Sequence, residues 1–294
     1  MKLSAIIPAH CEPYVQKTVD SLLGNSSLGG DLEVIVVLDG WPCELKQTDS
    51  RAKIIELNPQ GGMRKAINAG LMMARGEYVL KIDAHCSFAP GFDRVMVENI
   101  EPDWLVIPRR LSLNEETWEP LIVRKSTRDY CYLNYPVASR PGGLFMGPFN
   151  YRRPDRQDYE IDDVMTYQGS GWLAHRKEFM HRVGLMDDRP GTYGPFASEM
   201  LEVGLKYWLG GGAVKVNKKT WYAHLYKMGR HKAAGMFTWR YKAARYTNKH
   251  FDWAVRHWLN DEEPGMIHPF SWLIEKFWPV PTWPEERSLW KAAA

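Results

Sequence analysis

Between Leu3 and Ile82, short apolar runs alternate with helical stripes, and few folds accept that alternation. Leu3 to Pro8 is apolar, partly β-branched and stopped by proline. Val15, Thr18, Val19, Leu22 and Leu23 recur at helical spacing, and NSSLGG then supplies a turn. Leu32 to Leu38, LEVIVVL, is the clearest strand and ends at Asp39-Gly40. Lys53 to Leu57 reads as a third strand. Met63, Ala66, Ile67, Gly70, Leu71 and Ala74 form a helical stripe between Gly61-Gly62 and Gly76, and Tyr78 to Ile82 is the next strand. Strands joined by helices predict an α/β fold with a mostly parallel sheet. Ligands of such sheets gather beyond the carboxyl ends of the strands, where Pro8, Asp39 and Asp83 stand.

Later segments are less regular. Asp103 to Pro108 and Gly169 to Leu173 read as strands, Arg176 to Val183 as a short helix, and Val214 to Val216 as a short strand. Glu199 to Leu209 has helical spacing and stops at Gly210-Gly211-Gly212. A formal charge of +3 is too mild to demand a nucleic-acid partner. Four scattered cysteines form neither a dense disulfide framework nor a CxxC pair, so a reducing, cytoplasmic setting is expected. MKLSAIIPAHCEP is too short an apolar run for a signal peptide, and no stretch is long enough for a spanning helix.

The passage GEYVLKIDAHCSFAPGF ends an apolar strand on Asp83-Ala84-His85. Residues two apart on an extended strand point to one side, so the carboxylate and the imidazole can converge on one divalent ion. The bland alternative makes Asp83 a turn cap and His85 a core histidine.

The wider passage NPQGGMRKAINAGLMMARGEYVLKIDAHCSFAPGF resembles the GT-A glycosyltransferases. SAIIPAHCEP and EVIVVLDG look like that family's first two strands with their nucleotide loops. GSGWLAHRKEFMHRVGLMDDRPGTYGPFASEMLEVGLKYWLGGG is similar in order and spacing to the polypeptide GalNAc-transferases and their family-two relatives. The resemblance implies a metal triad of Asp83, His85 and His224, the last from KKTWYAHLYK, holding Mn²⁺ or Mg²⁺ beside a UDP-sugar. It implies that Gly169, Gly171, Trp172 and Glu199 line the donor sugar and that Pro8 meets the nucleotide; Glu199 reads otherwise as the acceptor-deprotonating base of inverting members or a helix-start carboxylate. Glu12 and Asp39 fit acceptors for uracil or ribose, against a helix N-terminal carboxylate and a turn aspartate. Arg64 opens its helix, where a cation is unfavourable unless an anion lies nearby, so a phosphate contact is expected of it. Lys227 and Arg230 either close over the diphosphate or are surface charges. Ala-Ser-Glu-Met stands where the relatives typically have Gly-Gly-Glu-Asn, which leaves the sugar open. Retention is favoured slightly over inversion.

The expected organisation is a catalytic domain over residues 1–230, with a nucleotide half to about 110, and an extension over 231–294. The run KMGRHKAAGMFTWRYKAARYTNKHFDWAVRHW interleaves basic and aromatic residues. Such a run either tracks a phosphate backbone and stacks bases, or packs as an amphipathic helix on the catalytic domain. Pro264 to Pro284 is expected to lack regular structure. With no lectin-like repeat or anchor, a small free-standing transferase is expected. Its acceptor hydroxyl would lie on a glycan, a protein, a small molecule or a hydroxymethylated DNA base; no oligomeric state is implied. A nucleotidyltransferase would need a basic glycine-rich loop that PAHCEP lacks. A non-catalytic nucleic-acid-binding protein on a degenerate transferase fold is the other rival.

Overall fold

The protein is described by a computed structural model covering residues 1–40, 45–46, 49–122, 127–136, 143–194, 198–226 and 248–291. The strands are β1 (Leu3–Ala9), β2 (Leu32–Asp39), β3 (Ala52–Leu57), β4 (Tyr78–Ile82), β5 (Cys86–Phe88) and β6 (Trp104–Leu113). They continue with β7 (Pro120–Leu121), β8 (Cys131–Leu133), β9 (Met146–Pro148), β10 (Ile161–Asp163), β11 (Gly171–His175) and β12 (Ala213–His224). The helices are α1 (Val15–Asn25), α2 (Met63–Met73), α3 (Phe92–Val97), α4 (Arg152–Asp155), α5 (Arg176–Arg182) and α6 (Glu199–Leu209), followed by Asn248–Leu259 and Phe270–Lys276.

One sheet organises the molecule, in the order β10-β12-β6-β11-β4-β1-β2-β3. β1 to β4 pair in parallel, as the strand–helix alternation predicts. β11 then runs antiparallel between β4 and β6, while β6 and β12 are parallel. The carboxyl ends of β1, β2, β4, β6 and β12 therefore share one edge. β2 is buried at every position, Glu33 and Asp39 included, as a mostly apolar strand covered on both faces must be. Alternate residues of β1 serve opposite faces: Ile6 packs with α2 residues Ala66 and Ile67, and Leu3, Ala5 and Ile7 pack with α1 residues Val15, Val19 and Leu22. Gly70 lets α2 lie close on β1, since a Cβ there would meet Ile6 Cγ2 at 2.4 Å.

Three segments differ from expectation. The strand expected at Val214–Val216 runs twelve residues, Ala213 to His224, with a register shift between Asn217 and Trp221. β4 ends at Ile82, and Ala84 and His85 form a bend rather than an extension of the strand. The proline-rich stretch contains a helix, Phe270–Lys276, with Phe270, Leu273 and Ile274 buried. Those residues join Trp258, Phe277, Trp283 and Trp290 in the same core cluster as α6. Trp258 is fully buried, and Trp253 stacks on His257 with its edge to Tyr193. These tryptophans are packed against protein, which excludes them as a base-stacking platform.

Candidate functional site

Asp83, His85 and His224 meet at the shared carboxyl edge. Each offers one donor atom, and these atoms all lie within 4.8 Å of one another. Strand pairing produces the meeting. β12 runs antiparallel to β5 with His224 opposite Cys86, and Leu225 N donates to His85 O at 3.0 Å. His85 Nε2 lies 3.0 Å from His224 Nε2, and His224 Nε2 lies 3.1 Å from Asp83 Oδ2.

A second layer fixes each group. His85 Nδ1 lies 3.0 Å from Glu12 Oε2 and donates to it, leaving the Nε2 lone pair facing Asp83 and His224. Arg110 Nη2 donates to His224 Nδ1 at 2.8 Å, and its Nε donates to Ser170 Oγ at 3.1 Å. The Arg110 guanidinium also lies over the Tyr226 ring, 4.3 Å from its centroid. Burial, with His85 and then Arg110 adding to it, pushes His224 down to about 3. It is therefore a neutral imidazole at neutral pH.

Lys81 is fully buried beneath the triad. Its ammonium donates to Asp83 Oδ1 and to Gly169 O, each at 2.7 Å, and forms an ion pair with Glu199 Oε2 at 2.8 Å. Burial alone would raise the Asp83 carboxyl, but Lys81 and then His224 hold it well below the usual carboxylate range. Burial raises Glu199, with Lys81 opposing. Trp172 Nε1 donates to Glu199 Oε1 at 2.9 Å, and the Trp172 ring stacks on Phe179. A Cβ at Gly169 would come within 2.9 Å of Glu199 Cγ, so glycine lets the loop close on that carboxylate.

The residues suit a divalent cation by the chemistry of the donor set: one ionised carboxylate and two imidazoles, one already oriented by a carboxylate. The fit asks for one change. With Arg110 donating to Nδ1, the proton of neutral His224 is on Nε2. His224 would present that nitrogen to a cation only as the Nδ1–H tautomer, in which Nδ1 no longer accepts from Arg110.

Other expected site residues are placed differently. Pro8 lies near the carboxyl end of β1, half-buried. Asp39 accepts from the backbone N–H groups of Gly61 and Gly62, at 2.6 and 2.9 Å, and so caps the entry to α2. Glu12 serves His85. Arg64 has no exposed surface: it pairs with buried Glu202, donates to Asp187 O at 3.1 Å and lies over the Tyr193 ring. The anion that its helix position asks for is Glu202, a protein carboxylate, in place of the expected phosphate. Gly171 is in β11 opposite Ile82, and Trp172 is wholly buried behind Glu199. Lys227 and Arg230 lie outside the described residues.

Lys81 and Arg110 are site residues that the sequence reading missed. Both carried a signal: a charged side chain inside a strand that is otherwise buried, YVLKI and WLVIPRRLSL.

A parallel sheet whose carboxyl edge gathers a carboxylate and two imidazoles, with a glycine loop and a buried glutamate beside them, defines the GT-A class of transferase fold. A family model described as Glycosyl transferase family 2 matches residues 4–179. The chain belongs to glycosyl transferase family 2. It is 28% identical over 210 residues to probable N-acetylgalactosaminyltransferase 8 of Caenorhabditis elegans, covering 69% of this chain and 45% of that protein. It is 20% identical over 317 aligned positions to human polypeptide N-acetylgalactosaminyltransferase 13, covering 94% of this chain and 54% of that protein. The chain thus spans about half the length of these curated relatives. Among solved structures, GalNAc-T7 with UDP, GalNAc and Mn²⁺ superposes with a TM-score of 0.71 at 16% identity, over 94% of this chain and 56% of that one. Staphylococcus aureus TarS 1-349 in complex with UDP-GlcNAc gives 0.58 at 16% identity, over 94% and 71%. Among the described residues, no helix is long and apolar enough to cross a membrane.

Proposed function

We propose that the chain transfers a sugar from a UDP-sugar to an acceptor hydroxyl, with one divalent cation, Mn²⁺ or Mg²⁺, held by Asp83, His85 and His224. The convergence of those three donor atoms within 4.8 Å carries the proposal. The ligands named for GalNAc-T7 and TarS, UDP with Mn²⁺ and UDP-GlcNAc, support the choice of donor. The cation supplies charge neutralisation at the leaving diphosphate.

The chain's own groups have assignable work. Arg110 is 2% exposed, and no carboxylate pairs with it among the described residues. A buried cation without a counter-ion is costly, and a diphosphate oxygen beside His224 would supply one. Pro8, Glu12 and Asp39 belong to the nucleoside end. Gly169, Gly171, Trp172 and Glu199 belong to the donor-sugar end, with Trp172 acting through Glu199. Both Glu199 oxygens are engaged, one by Trp172 and one by Lys81, and the residue is 1% exposed. Such a carboxylate is poorly placed to take a proton from an incoming acceptor, which supports retention of configuration over inversion. Residues 1–230 would form the catalytic domain. The basic-aromatic run that suggested a DNA acceptor falls mostly in residues 227–247, outside the described residues, so the acceptor is assigned only as a hydroxyl compound.

Calorimetric titration with UDP, with and without Mn²⁺, tests the proposal. We expect binding to tighten at least about ten-fold with the metal. In folded His224→Ala the metal effect is expected to disappear, together with UDP release from a panel of UDP-sugars. UDP binding that ignores the metal in the unaltered protein would remove the basis of the assignment.

A further inference from the structure

A cavity of about 280 Å³ is lined by Arg109, Asp129, Tyr130, Arg153, Gln157 and Lys218. Three of these side chains are cations and one is a carboxylate. Asp129 takes Arg109 in a two-pronged contact, Nε at 2.9 Å and Nη2 at 3.1 Å, and Arg153 Nη2 lies 3.8 Å away. Lys218 has no carboxylate within ion-pair distance among the described residues; its ammonium donates to Arg156 O at 2.7 Å and to Tyr130 Oη at 3.4 Å. Burial lowers the Lys218 ammonium, with Asp129 opposing and Arg109 adding to the fall. The lining itself carries three cations and one carboxylate, with Asp162 and Asp158 acting on Lys218 from outside it. A phosphate monoester is an anion at neutral pH and offers several acceptor oxygens to such a lining.

Arg109 and Arg110 are consecutive on β6, so their side chains leave opposite faces of the sheet, and the cavity approaches the candidate site through Asp129. Asp129 also borders a narrow gap lined by Arg110, Gln168 and Tyr222, at the loop that carries Gly169. The register shift of β12 falls between Asn217 and Trp221, and Lys218 projects from it. Such irregularities re-aim a side chain out of the strand's regular alternation.

We infer that this cavity is a phosphate-binding subsite that holds a phosphate group of the acceptor while its hydroxyl enters the transfer site. The assignment to the acceptor rests on the proposed transferase function; the binding of phosphate does not.

The experiment is calorimetric titration of the full chain with inorganic phosphate, with UDP and Mg²⁺ saturating so that the diphosphate position is filled. Saturable binding is expected. Lys218→Met and, separately, Arg153→Met should weaken it at least about ten-fold, the loss of one charge-assisted hydrogen bond. Lys218→Arg should stay within about three-fold of the unaltered protein, and UDP affinity should be the same in all. Absence of saturable phosphate binding, or binding unmoved in both Met variants, overturns the subsite. If UDP itself fails to bind in a metal-dependent way, the transferase proposal falls, and the phosphate titration without UDP still decides the cavity. In a UDP-release assay, phosphate should raise the acceptor KM and leave the donor KM unchanged; competition with the donor instead overturns the acceptor assignment.

Discussion

At the residue scale, one ammonium organises the site. Lys81 touches both Asp83, a candidate ligand of the cation, and Glu199, the first residue of α6 and a proposed donor-sugar residue. Without it, two carboxylates would share a dry space with no counter-charge. Lys81→Met should therefore destabilise the fold by about 3–5 kcal/mol, the usual cost of breaking a buried pair from one side. Pairing it with Glu199→Gln removes one of the stranded charges. The double variant should regain at least about 1 kcal/mol relative to the sum of the single changes, as read by urea unfolding. Additive losses would mean that the two side chains are not coupled. The triad was legible because D-x-H is local and the resemblance points to His224. Lys81 and Arg110 were not, because their meaning lies in partners far along the chain. A lysine in a buried strand announces that an anion is near without naming it. Arg64 shows the same limit from the other side. Its helix position asked correctly for an anion, and sequence position alone could not distinguish a ligand phosphate from Glu202.

At the element scale, the parallel half of the sheet was legible because its strands are buried on both faces and its helices carry clear apolar stripes. β12 was not, since its second half, NKKTWYAH, mixes charges with aromatic residues and shifts register. The helix Phe270–Lys276 was hidden by prolines on either side of it. The parallel half also holds a group that makes its stability depend on pH. Glu33 of β2 is 1% exposed and receives hydrogen bonds from Ser4, Lys53 and Arg75, which join β1, β3 and the end of α2 to it. Burial alone would raise this carboxyl, but Lys53, Ser4 and Arg75 bring it down to about 2 from 4.5. The folded value is the depressed one, so the stabilisation is fully present above about pH 4.5 and is lost as pH falls through about 2. Thermal melting from pH 6 to pH 2 should show this loss, on the order of 2–3 kcal/mol in total. Glu33→Gln should melt lower at pH 6 and show a shallower acid dependence. An unchanged acid profile in that variant would exclude Glu33 as the source.

At the scale of the whole molecule, the described part of the C-terminal segment is continuous with the core. Trp258, Leu273, Ile274, Phe277 and Trp283 belong to the same cluster as Val203, Leu205 and Trp208 of α6, the helix that begins with Glu199. Trp283 Nε1 donates to Leu133 O at 2.7 Å, and Lys276 pairs with Asp163 of β10 at 2.8 Å. An extension over 231–294 was expected from the change in composition after the catalytic motifs. Composition marks where a chain changes character, but it does not report whether the later part shares a core with the earlier part. Shared packing makes the back of α6 depend on tryptophans far from its own sequence, and α6 holds Glu199 against Trp172 and Lys81. Trp258→Ala should cost about 3–5 kcal/mol through the cavity it leaves. Its effect should reach the site: metal-dependent UDP binding should be lost in the same denaturant transition as far-UV circular dichroism, because one core unfolds as one unit. A separate extension predicts otherwise, with Trp258→Ala shifting an early transition while UDP binding persists to the later one.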